Sequence, residues 1–140
     1  MILKALTYTL KVWLTSIIIG PIFHLLLNCI TEPNMGYAQI GIVGSLYFII
    51  MSIPFGIMLS IPSCLLLWLS VYVLMGVQPK PLVSKLSLSI IGTILSALAF
   101  FIVFGQDDPS SHKETVIWAL AYCSVIVGAI WYYKLAPESK

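Results

Sequence analysis

Arginine is absent from this chain, and charge of any kind is scarce. The seven basic residues are all Lys, five residues are acidic, and only 9% of the 140 residues are charged. A typical soluble domain carries roughly 25%. The lysines are spread along the chain, which excludes the clustered basic face of a nucleic-acid binder. Without Arg there is no planar fork for phosphate or carboxylate, which argues against a phosphate-binding pocket.

Metal-ligating and catalytic groups are equally sparse. There are two histidines, and no His, Cys or carboxylate cluster has ligand spacing, so neither a metal nor a haem is expected. Cys29, Cys64 and Cys123 form no CxxC pair, which disfavours thiol redox chemistry. They read as free, buried thiols acting as small apolar residues. There is no HExxH, no pair of intramembrane aspartates and no GxSG with a usable base. The chain reads as a non-enzyme with no cofactor and no catalytic residue.

Where charge is missing, it is missing in long blocks. Residues 12–31, 33–79, 86–106 and 115–133 contain no Asp, Glu, Lys or Arg. One helical crossing of a bilayer takes about 20 apolar residues, and segments without a wet face belong inside a membrane or a core. The expectation is an all-α integral membrane protein, a four-helix transmembrane bundle forming a single domain over 1–140. Its spans fall at about 10–30, 40–76, 84–104 and 115–133. The first run ends in Leu26-Leu27-Asn28-Cys29, a poor lipoprotein signal because Asn28 stands where a small residue belongs, so it is read as a retained span.

The second span is the difficult one. As one helix it is roughly 55 Å long against a hydrocarbon core of about 30 Å. One solution is a long helix kinked at Pro54 and Pro62, with its first part near Tyr37 to Ser45 in the interface. Ser or Thr hydroxyls, or neighbouring helices, would satisfy the carbonyls that the prolines leave free. The other solution is five spans, with a tight hairpin at Pro54-Phe55-Gly56. Lysines decide for four. Four crossings put Lys4, Lys11, Lys80, Lys85, Lys134 and Lys140 on one side and Lys113 alone on the other. By the positive-inside rule both termini are then cytoplasmic, here expected in a bacterial inner membrane. Trp13, Trp131, Tyr132 and Tyr133 would mark the inner interface, and Tyr37, Phe104 and Trp118 the outer one.

Helices in lipid associate through small residues and a few hydrogen bonds. Stripes at i, i+4 spacing occur on every span: Ser16, Gly20, His24 and Asn28; Ser52, Gly56, Ser60 and Cys64; Ser89, Thr93 and Ala97 beside Gly92 and Ser96; and Ser124 with Gly128. Pro21 is a third kink position. His24 and Asn28 are the most polar residues within a span, which makes them ligand- or ion-binding candidates as well as partners for an interhelical bond. The stretch from Gly105 to Glu114, with Asp107, Asp108 and His112, reads as a solvated connector.

Two functions fit. The first is a non-catalytic accessory or immunity-type protein that acts by packing against other membrane helices, its own or a partner's. The second is a small transporter or channel, homo-oligomeric, with a path along the kinked second helix and His24. Lipid bilayer and membrane helices are the expected partners, and nucleic acid is not.

Overall fold

The computed structural model describes residues 1–31, 41–77, 80–104 and 111–135. These form four helices: α1 (Ile2–Thr31), α2 (Gly41–Val77), α3 (Pro81–Phe104) and α4 (Ser111–Tyr132). Each is long and apolar enough to cross a membrane, and no strand occurs among the described residues. The fold is the expected all-α four-helix bundle, and it fits a multi-pass membrane protein. Glu32, Tyr37, Asp107, Asp108 and Lys140 lie outside the described residues.

The helices form a ring. α1 packs on α2 and α4, α3 packs on the same two, and the diagonal pairs stay apart among the described residues. Neighbours run antiparallel, so the start of α1 and α3 meets the end of α2 and α4. Tyr8 Oη donates to the Ile130 carbonyl at 3.1 Å, and Lys85 Nζ donates to the Trp131 carbonyl at 2.9 Å. Of the described lysines, Lys4, Lys11, Lys80, Lys85 and Lys134 belong to this end, and Lys113 belongs to the other.

α1 begins several residues before the expected start. Ala5, Tyr8, Thr9 and Val12 are buried at helical spacing, so the first turns have a packing face of their own. Lys4 and Lys11 sit on the exposed side, where their stems lie along apolar surface and their ammonium groups reach polar surroundings. α3 begins at Pro81, whose missing N–H costs nothing in a first turn.

α2 is a single helix with Pro54 and Pro62 inside it, not a hairpin at Pro54-Gly56. Both prolines are exposed on the outer side of the helix, whereas Pro21 in α1 is buried. The serine bonds differ from expectation. Ser52 Oγ donates to the Phe48 carbonyl at 2.7 Å and Ser60 Oγ donates to that of Gly56. The carbonyls deprived of a donor by Pro54 and Pro62 belong to Ile50 and Met58.

All four helices meet at the lysine end. There Ala5, Tyr8 and Val12 of α1, Leu67 and Val71 of α2, Leu88 of α3, and Ala129 and Ile130 of α4 form one buried cluster. Above it the packing becomes uneven. α1 and α4 stay close, because a Cβ on Gly20 would stand 2.6–2.9 Å from the Tyr122 ring. α3 and α4 also stay close, since a Cβ on Gly92 would stand 2.8 Å from Ile126 Cγ2. α2 packs less on α3 than on α1, and a space bordered by all four helices opens beside it.

Candidate functional site: a charge-free cavity along the second helix

The space left beside α2 is a cavity of about 380 Å³. Its longest wall is α2, from Phe48 to Leu67. α1 contributes Val12 to Ile17, α3 contributes Gly92 to Phe104, and α4 contributes Trp118, Tyr122 and Ile126. No lining residue is charged. The polar groups are serine hydroxyls, one thiol and the edges of aromatic rings.

Sequence explains the wall. Ser52, Gly56, Ser60 and Cys64 recur every fourth residue, so they share one face of α2. That face is short of side-chain volume and cannot fill the gap by itself. A Cβ on Gly56 would meet Tyr122 Oη and Ile17 only at 3.8 Å or beyond. The stripe read as a packing surface therefore lines a void over much of its length.

The hydroxyls are held in place. Ser16 Oγ donates to the Trp13 carbonyl at 2.7 Å, and Ser60 Oγ accepts the Trp13 indole N–H at 2.8 Å while donating to Gly56. Each keeps acceptor lone pairs for a ligand donor. Trp13 is thus turned into the bundle rather than standing in an interfacial belt, because Ser60 supplies the acceptor that an indole N–H requires in lipid. Trp131 and Tyr132 are exposed beside Lys85 and Lys134, in keeping with an interfacial position.

The far end of the cavity is aromatic. Trp118 lies between Phe48, Phe100 and Tyr122, with ring centroids 5.5–6.1 Å apart. Trp118 was expected at the outer interface, and the structure makes it a wall of the cavity instead. Its spacing from Tyr122, one helical turn, is the signal that a shared inward face was available.

His24 is buried but does not line the cavity. It stacks on Trp118, with centroids 3.6 Å apart and planes at 19°, and on Phe48, with centroids 5.9 Å apart. Asn28 Nδ2 donates to His24 Nε2 at 2.7 Å. That assignment places the ring proton on Nδ1, which is buried and has no partner among the described residues. The two candidates bond to each other along one helix, where an interhelical bond was expected.

The other stripes are distributed as follows. Ser16, Gly20, His24 and Asn28 are all buried. On α3 the buried row is Ser84, Leu88, Gly92 and Ser96, one residue round from Ser89, Thr93 and Ala97, which are half-buried. Ser124 and Gly128 face outward, and nothing stands within 4 Å of a Cβ placed on Gly128. Cys29 is exposed rather than buried, Cys64 lines the cavity, and Cys123 Sγ donates to the Thr93 carbonyl at 3.6 Å. Among the described residues no group of His, Cys, Asp and Glu has the geometry to hold a metal ion. No family model matches the chain, and neither does any curated protein or solved structure.

Proposed function

We propose that this chain is a non-catalytic membrane carrier that takes a small, uncharged, apolar molecule from the bilayer into the space beside α2. The observation that supports this most is the cavity itself. Its volume of about 380 Å³ falls within the usual range of small-molecule sites, about 300–1,000 Å³, and its lining is the usual mix of apolar wall and few polar groups. An ion is a poor occupant, since desolvating it without a counter-charge costs several kcal/mol or more. Aromatic faces and serine lone pairs suit a lipophilic compound with one or two hydrogen-bond donors. The lysine-rich end faces the cytoplasm of a bacterial inner membrane under this reading, because short basic segments resist translocation.

The test is equilibrium binding of a neutral lipophilic fluorophore to the protein in nanodiscs. One site per chain is expected, with affinity lowered at least tenfold when Ser52→Phe and Ser96→Leu fill the cavity. Binding that is unsaturable, or unchanged by both substitutions, contradicts the proposal.

A second reading has its own support. Ser124 and Gly128 form a small-xxx-small pair on the outside of α4, and such pairs let another helix approach closely in lipid. On that reading the protein is an accessory or immunity-type partner that packs through α4. Ser124→Leu with Gly128→Leu should then abolish association with itself or a partner while leaving fluorophore binding intact.

A further inference from the structure

A second cavity, of about 390 Å³, opens at the lysine end, apart from the cavity beside α2. It is lined by Leu3, Lys4, Thr7, Tyr8 and Lys11 of α1, Met75 of α2, and Tyr133 and Lys134 at the end of α4. Three lysines from two distant parts of the chain thus border one concave space. Lys4, Thr7 and Lys11 recur at i, i+3 and i+7, so α1 offers them from one face. Lys134 closes the third side from the segment just past α4.

The other polar groups around this space are already engaged. Tyr8 Oη donates to the Ile130 carbonyl at 3.1 Å, Thr7 Oγ1 donates to that of Leu3 at 2.8 Å, and the Tyr133 and Thr15 hydroxyls bond at 2.9 Å. Lys85 is engaged as well, with its Nζ on the Trp131 carbonyl and 5.5 Å from the centre of the Trp131 ring. Lys4, Lys11 and Lys134 are different. All are exposed, and among the described residues the only carboxylate is Glu114, at the opposite end of α4. α1 has no acidic residue in its first turn, so its N-terminal dipole adds to the positive potential there.

We infer that this cavity holds a phosphate-bearing anion, and that its source is the headgroup of an anionic lipid. The missing Arg excludes a forked, bidentate grip. Lysines bind phosphate as point charges, and a basic recess between helices at the membrane surface is the form such a headgroup site takes. Leu3, Met75 and the tyrosine rings give the glycerol and upper acyl region an apolar wall.

Native mass spectrometry of the full chain, with phosphatidylglycerol or phosphatidylcholine added, tests the inference. Phosphatidylglycerol should bind at one copy per chain, preferred over phosphatidylcholine. Lys4→Gln, Lys11→Gln and Lys134→Gln should each lower its affinity about fivefold. Lys113→Gln, at the opposite end, should leave it unchanged. Melting of each variant, followed by circular dichroism, should match the parent, because the three side chains are exposed. Equal affinity for both lipids, or an equal loss in Lys113→Gln, overturns the inference. Inorganic phosphate at millimolar concentration should not displace the lipid. If it does, the site belongs to a free anion, and the lipid assignment fails.

Discussion

α1 and α2 carry the same pattern in sequence and use it in opposite ways. Both present small or polar residues every fourth position. On α1 the row is buried, and at Gly20 it meets α4 so closely that there is no room for a Cβ beside the Tyr122 ring. On α2 the row of Ser52, Gly56, Ser60 and Cys64 is only half-buried and borders a void. What separates them is the partner surface. Opposite Gly20 stands a flat ring that fills the groove a glycine leaves. Opposite Gly56 the same Tyr122 presents only its hydroxyl tip, and a Cβ there would meet Tyr122 and Ile17 at 3.8–4.0 Å, ordinary contact with no crowding. A small residue permits close approach, and only the facing helix determines whether approach occurs.

The sharpest way to break this contrast is to add the same volume at both places. Gly20→Val should cost about 1–3 kcal/mol, the range for overpacking a filled site. Gly56→Val should cost less than about 1 kcal/mol, since its branches enter open space, and should lower fluorophore binding. Unfolding in detergent, followed by circular dichroism, measures both. Equal costs would mean that α2 is as tightly seated as α1.

Next in size is the bond that ties the two helices together. Ser60→Ala leaves the Trp13 indole N–H without its acceptor and should destabilise by about 1–2 kcal/mol. Trp13→Phe removes both partners' need for the bond and should cost about 1 kcal/mol or less, near the range of hydrogen bonds between membrane helices. A larger loss for Trp13→Phe than for Ser60→Ala would show that ring packing, not the hydrogen bond, holds α1 to α2.

A smaller effect is expected where the bond stays within one helix. Asn28→Ala should destabilise by about 1 kcal/mol and leave binding in the cavity unchanged, because neither Asn28 nor His24 lines it. Binding that falls with Asn28→Ala would join the two regions into one site. The smallest effect belongs to Gly128→Ala, which should move the melting temperature by no more than about 2 °C, since its Cβ meets nothing and an exposed position away from special features tolerates change.

Element number, type and approximate bounds were legible in the sequence because they depend on runs of apolar residues and on lysine spacing. The unbroken second helix was legible too, from the lysine bias that favours four crossings over five. The cavity was not. A stripe such as Ser52 to Cys64 specifies which face turns inward, but a void depends on volumes contributed by three other helices. Trp13 and Trp118 show the same limit. Their positions near the ends of apolar runs suggested interfacial belts, and the inward acceptor on Ser60 and the aromatic neighbours of Trp118 come from helices distant in sequence. His24 and Asn28 were visible as the polar pair of α1, but the bond expected between helices is made within one, between the two of them.

Photo-crosslinking in nanodiscs with a small, neutral diazirine probe tests the cavity most directly. Adducts should map to buried lining residues such as Ile17, Leu67 and Tyr122 and should disappear in Ser52→Phe. Adducts confined to outward residues such as Leu46, Met58 and Leu65, with the same yield in Ser52→Phe, would show that nothing enters the bundle.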